Sequence, residues 1–146
     1  MLGRLVLSLV CLASLLAAPI SSSARESDPS AADTMWTAII PDGFPGFIYT
    51  WHMKLDGTYR EDGHDAAKGT PIQPTLSGRW SREGAHMLLT QTDQPFVFDG
   101  VMLGGSYSGT LYFHGRAYSR FCAAKGDEAP KRCDTTQGVA AVVAIP

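Results

Sequence analysis

Hydrophobic and polar side chains alternate most clearly between positions 47 and 55, where Phe47, Tyr49, Trp51, Met53 and Leu55 interleave with Ile48, Thr50, His52 and Lys54. A period of two marks a strand with one buried face, so these five apolar side chains are expected inside. Asp56-Gly57 follows as a two-residue hairpin turn, and Thr58-Tyr59-Arg60 begins the return strand. Residues 61–74 are polar and carry Gly63, Gly69, Pro71 and Pro74, which predicts a long loop at one end of the sheet. Apolar runs at 76–81, 86–92, 96–103, 107–114 and 117–123 are bounded by turn-forming residues, Arg82-Glu83-Gly84 and Gly104-Gly105 among them. A continuous apolar run at 139–145 predicts a buried strand that closes the structure, bringing the count to about eight strands.

Long helices are not expected in this chain beyond its leader. Beyond residue 24, the longest stretch free of both Gly and Pro is 11 residues, from 30 to 40. The fold class is therefore all-β: a small antiparallel up-and-down barrel or strongly curved meander of about eight strands with one disulfide. Closure would remove the exposed edges that such a sheet otherwise presents. Four glycines recur in similar settings, as Asp56-Gly57-Thr58, Ser77-Gly78-Arg79, Asp99-Gly100-Val101 and Ser108-Gly109-Thr110. They predict bends, bulges or close backbone approaches.

Three of the strand segments carry a family likeness. Leu55-Asp56-Gly57-Thr58-Tyr59, Leu76-Ser77-Gly78-Arg79-Trp80 and Met87-Leu88-Leu89-Thr90 together resemble the small bacterial lipocalin-like domains, over residues 35–122. The resemblance implies an up-and-down barrel with a mouth or cavity for a ligand. Typical lipocalins differ in carrying their Gly-x-Trp near the N-terminus and in ending on a helix, whereas Gly78-Arg79-Trp80 lies mid-chain here.

The termini locate the protein. Arg4, an apolar run at 5–18 and Ser22-Ser23-Ala24 form the three parts of a secretory signal at 1–24. As a helix the apolar run would span about 21 Å against a hydrocarbon core of about 30 Å, so no stable membrane anchor is expected after cleavage. Residues 25–34 are rich in Ser, Ala and Asp and are expected to form a mobile tail, leaving 35–146 as a single domain. Cys11 leaves with the signal, so Cys122 and Cys133 are an even pair in an exported protein and read as one disulfide. Free thiols and a shared zinc are the alternatives. Periplasmic or secreted localisation follows from this reading.

Charge and chemistry narrow the function classes. A formal charge of −2 lacks the basic excess that nucleic-acid binding demands, and no nucleic-acid partner is expected. Glu61-Asp62-Gly63-His64-Asp65 concentrates carboxylates beside an imidazole, yet lacks the spacing of a metal loop. His52, His86 and His114 lie on separate strands and read as outward polar residues. Gly105-Ser106-Tyr107-Ser108-Gly109 has Tyr where a nucleophile elbow requires its serine. No cofactor, metal or catalytic role is expected. The aromatics are the informative class: Tyr49, Trp51, Tyr59, Trp80 and Tyr112 are candidate ligand-binding residues, with Arg120, and Arg79 beside it in role, as candidates for an anionic headgroup. Two functions follow, a binding module for a small apolar or amphipathic ligand and an envelope or secreted protein-interaction module with a filled barrel and functional loops.

Overall fold

The computed structural model describes residues 34–133. Within them, β1 (Thr34–Ile39), β2 (Phe47–Met53), β3 (Thr58–Asp65), β4 (Pro71–Glu83), β5 (His86–Gln91), β6 (Phe96–Leu103), β7 (Ser106–Phe113) and β8 (Arg116–Lys125) run antiparallel in chain order. Each strand pairs with its neighbours in sequence, and β8 returns to β1 to close the barrel. The all-β, up-and-down architecture expected from the sequence is the one observed.

The closing seam lies elsewhere than expected. β1 pairs with β8 from Trp36↔Lys125 to Ile39↔Cys122, and Gly126 N–H extends the ladder to the Met35 carbonyl at 2.8 Å. Trp36 and Ala38 are the inward residues of this strand, and Ile40 just after it continues the same face. Three positions, one of them Ala, make too faint an alternation to stand out in sequence. The expected closing strand at 139–145 lies outside the described residues, as do the leader at 1–24 and the tail at 25–34, apart from Thr34 at the start of β1.

The expected long loop at 61–74 is not a loop. β3 continues to Asp65 and β4 begins at Pro71, so the connection is residues 66–70. Asp65 organises this turn, its Oδ1 accepting from the backbone N–H of Ala67 at 2.9 Å and of Lys68 at 3.0 Å. Both faces of β3 are polar here, so hydrophobic periodicity gives no sign of a strand that backbone pairing to β2 and β4 nonetheless holds.

The β2–β3 turn also departs from expectation. Lys54 N–H donates to the Thr58 carbonyl at 2.9 Å and Gly57 N–H to the Lys54 carbonyl at 3.1 Å, which makes a three-residue loop of Leu55, Asp56 and Gly57. Gly57 has φ +78°, the left-handed residue such loops require. Leu55 therefore leaves the alternating face and is 58% exposed, while Trp51 and Met53 remain inside.

The barrel interior is filled from the β2–β3 end by Trp36, Met53, Tyr59, Trp80, Met87, Met102 and Tyr107. Above them Trp51, Phe98 and Phe121 meet edge to face, with ring centroids 4.9 Å apart for Trp51–Phe98 and 5.3 Å for Phe98–Phe121. The Tyr107 hydroxyl lies 2.9 Å from the Phe98 carbonyl and 3.1 Å from that of Met87, so its proton is satisfied within the core. Tight curvature is possible because Gly100 and Gly109 face one another across β6 and β7. A Cβ on Gly109 would overlap the Asp99 carbonyl oxygen and lie 2.5 Å from the Gly100 Cα. Cys122 and Cys133 are bonded, with Cα atoms 5.4 Å apart, tying the segment after β8 back to that strand.

Candidate functional site

The packing stops short of the end of the barrel where β1 turns into β2. A pocket of about 230 Å³ remains there, walled by Ile40, Phe44, Tyr49, Ile72, Leu76 and Phe96, with Glu61, Gln91, Phe98 and Leu111 deeper inside. Two features of the fold create the space. Glu61 pairs with Leu76 but Gly63 pairs with Ile72, so Gln73, Pro74 and Thr75 of β4 stand opposite Asp62 alone. This bulge displaces the wall of the barrel, and Thr75 Oγ1 anchors it by donating to Asp62 Oδ1 at 2.8 Å. Gly63, an inward position on β3, contributes no side chain; a Cβ there would lie 3.0 Å from Ile72 and 3.2 Å from the Tyr49 ring.

Glu61 is the polar centre of the pocket. Strand parity sends it inward after Tyr59, and it is 5% exposed. Its Oε2 accepts from Trp51 Nε1 at 2.7 Å and from Gln91 Nε2 at 2.9 Å. Oε1 accepts no hydrogen bond from the protein and is left to the pocket. Burial pushes the Glu61 pKa up to about 7, outweighing the two N–H donors, which favour the carboxylate; the neighbouring Asp62 adds a smaller upward push. Burial and then the Glu61 charge likewise raise the Tyr49 and Tyr59 phenols above their ordinary value. The Tyr59 hydroxyl and Gln91 Oε1 are both buried without a hydrogen-bond partner. Gln91 donates its amide N–H to Glu61 and also lies close enough to Tyr59 to act on its phenol, so the Tyr59–Gln91 contact is a strained part of the polar group around the carboxyl rather than a good hydrogen bond.

Comparison of the chain with family models, with curated proteins and with solved structures finds no match. The site is therefore read from its own geometry.

Of the residues singled out in the sequence, Tyr49 lines the pocket. Trp51 lies beneath it, fully buried, and acts on it through the hydrogen bond to Glu61. Tyr59 and Trp80 belong to the filled interior, where Trp80 Nε1 donates to the Lys54 carbonyl at 2.9 Å. Tyr112 follows the inward Leu111 and is half-buried away from the pocket lining. Arg120 is exposed and pairs with Asp42 of the β1–β2 loop at 3.1 Å. The structure does not bring Tyr112 and Arg120 to the site, nor Arg79, which is exposed.

The acidic segment divides between the two faces of β3: Glu61 points in, and Asp62 meets His52 and Arg60 outside at 3.6 and 2.9 Å. Among the described residues, no group of three or more His, Cys, Asp and Glu is placed to hold a metal ion. His86 pairs with Asp99 at 2.6 Å, apart from the other histidines. Sequence reasoning missed Phe44, Glu61, Gln91 and Phe96. Parity alone was the available signal for Glu61, since continuing β3 by one residue beyond Arg60 places it inside.

Proposed function

We propose that the protein is an exported binding module, lipocalin-like in function as well as in outline, that holds a small amphipathic ligand in the pocket around Glu61. One observation carries the reading: a barrel otherwise filled with aromatic side chains leaves about 230 Å³ unfilled beside a buried carboxyl that has a free oxygen. Burying such a group destabilises a protein unless something meets it, whereas apolar side chains of similar volume would stabilise the same barrel. Local breaches of good packing of this kind belong to functional sites. Phe44, Tyr49 and Phe96 supply the apolar surface for the body of the ligand, and the Glu61 carboxyl a polar point that fixes its orientation. The hollows along the outer faces of β3–β4 and of β1–β2 are larger, at about 370 and 420 Å³, but neither reaches the buried carboxyl. The disulfide accords with an oxidising compartment, and a periplasmic or secreted setting is part of the proposal.

Phe113 and Tyr118, 36% and 48% exposed near the pocket end, favour a second reading in which this face contacts an envelope or secreted protein. Titration with phenylpropanol, followed by tryptophan fluorescence and calorimetry, separates the two. The binding-module reading expects saturable uptake with a Kd of about 1 mM or tighter for so small a probe. It also expects that uptake is abolished in a folded Ile72→Trp variant, whose indole fills the pocket. No saturable uptake, or uptake unchanged by Ile72→Trp, would overturn it.

A further inference from the structure

We infer that the ligand is a cation: an amphipathic amine whose ammonium group binds Glu61 Oε1 while its apolar body lies among Phe44, Tyr49 and Phe96. This inference rests on the pocket being a binding site and names the chemical class that the site selects. Among the described residues, no Lys, Arg or His lines the pocket, and Glu61 is the only lining residue with a carboxyl. An anionic ligand would place its charge against a carboxyl in a low-dielectric space with no cation to balance it. A neutral ligand could occupy the apolar wall but would leave the cost of the buried carboxylate uncompensated.

Geometry points the same way. Trp51 Nε1 and Gln91 Nε2 both donate to Oε2, at 2.7 and 2.9 Å, so the carboxyl is held by N–H groups from its inner side. The outward oxygen keeps its full accepting capacity, and an ammonium brings three donors and no acceptor. The rings above it form a partial cage: Phe44 stands edge to face with Tyr49 and Phe96, at centroid separations of 6.3 and 6.0 Å. Aromatic faces around a carboxylate are a recurring means of holding a cation, each ring adding its own attraction to the ion pair. Besides the Tyr49 hydroxyl and Gln91, the lining carries the primary carboxamides of Gln73 and Gln94 at the rim, and both can accept a hydrogen bond from a second N–H.

Binding must then depend on pH through Glu61. The groups that face it are Trp51 and Tyr49 on β2, Tyr59 and Asp62 on its own strand, Leu76 on β4 and Gln91 on β5, with Phe98 on β6 and Leu111 on β7 sharing the pocket lining. Of these, Asp62 is turned outward to Arg60 and His52, and the two phenols stay protonated across the physiological range. Glu61, with its pKa near 7, is the group that titrates there. A simple alkylamine remains protonated well above this value, so its affinity should fall as the pH drops and Glu61 takes up a proton. The limit is about tenfold per pH unit.

Three probes of one shape test the inference: phenylpropylamine, phenylpropanol and phenylpropanoate, each titrated by calorimetry from about pH 8 down to about pH 5.5. The expected order at the upper pH is amine over alcohol by about tenfold or more, with the carboxylate weakest. The amine advantage should shrink on acidification and vanish in Glu61→Gln. The wild-type pH profile carries the same test without relying on the variant. Uptake of alcohol or carboxylate equal to that of amine overturns the cation assignment and leaves the pocket reading intact. Uptake of none of the three overturns both.

Discussion

Replacing Glu61 by Gln isolates the energetic cost that the pocket imposes on the fold. Gln has nearly the shape of the protonated acid, and its side-chain oxygen can still accept from Trp51 Nε1 and Gln91 Nε2. In the wild type, burial raises the carboxyl from an ordinary value of 4.5 to about 7. Below the lower value the acid is protonated in both folded and unfolded chains, and the two proteins should be about equally stable. Between the two values only the unfolded chain has lost its proton, so wild-type stability falls as the pH rises; above about 7 the loss is complete. At about 1.4 kcal/mol per pH unit, the interval amounts to about 3 kcal/mol. Glu61→Gln should therefore be the more stable protein by about 3 kcal/mol above neutrality and show almost no difference near pH 4.5. Urea denaturation of both proteins across this range measures the difference directly. Carboxyls not coupled to Glu61 contribute equally to both chains and cancel, including Asp56 and Asp93, whose hydrogen bonds from Thr58 and Ser77 hold them below the usual carboxylate range. A difference independent of pH, or a variant less stable than wild type above neutrality, would refute the claim that a buried carboxyl is held here against its own solvation.

The remaining core makes further demands. Trp51→Ala should destabilise the domain by about 3–5 kcal/mol in thermal or chemical unfolding, because Trp51 is fully buried among Phe98, Phe121 and Tyr107; a loss under about 2 kcal/mol would mean that its ring borders open space. Gly109→Ala should cost about 1–3 kcal/mol or more, as the added methyl overlaps the Asp99 carbonyl oxygen; an unchanged melting temperature would contradict the close crossing of β6 and β7. Reduction of the Cys122–Cys133 bond should lower stability by about 3 kcal/mol while the barrel persists, measured by unfolding with and without reductant.

The legibility of the fold varied with the burial pattern. β2 was plain because aromatic residues alternate with polar ones on a strand whose inner face is buried, and the glycines at 100 and 109 marked a real crossing. β3 was hidden beyond Arg60 because its inward residues there are Glu61 and Gly63, a carboxyl and an absent side chain. Glu61 is also the polar centre of the pocket, so the site is obscured in sequence by the residue that makes it a site. The aromatic candidates were chosen by type, and type does not distinguish a ring at the pocket wall, such as Tyr49, from one locked in the core, such as Tyr59. Phe44 escaped notice because it sits in the loop between β1 and β2, outside any periodic run, and reaches the pocket only through the closure of the barrel.

A small amphipathic molecule that enters the end of the barrel and reaches Glu61 must perturb the residues around it. Backbone amide shifts of isotope-labelled protein, followed through a titration with phenylpropylamine above neutral pH, test it most directly. Saturable shifts should centre on Phe44, Tyr49, Glu61, Ile72, Gln91 and Phe96, with the Trp51 indole N–H moving alongside them because it donates to the same carboxyl. Shifts confined to the outer face at Phe113 and Tyr118, or none at all, would contradict it.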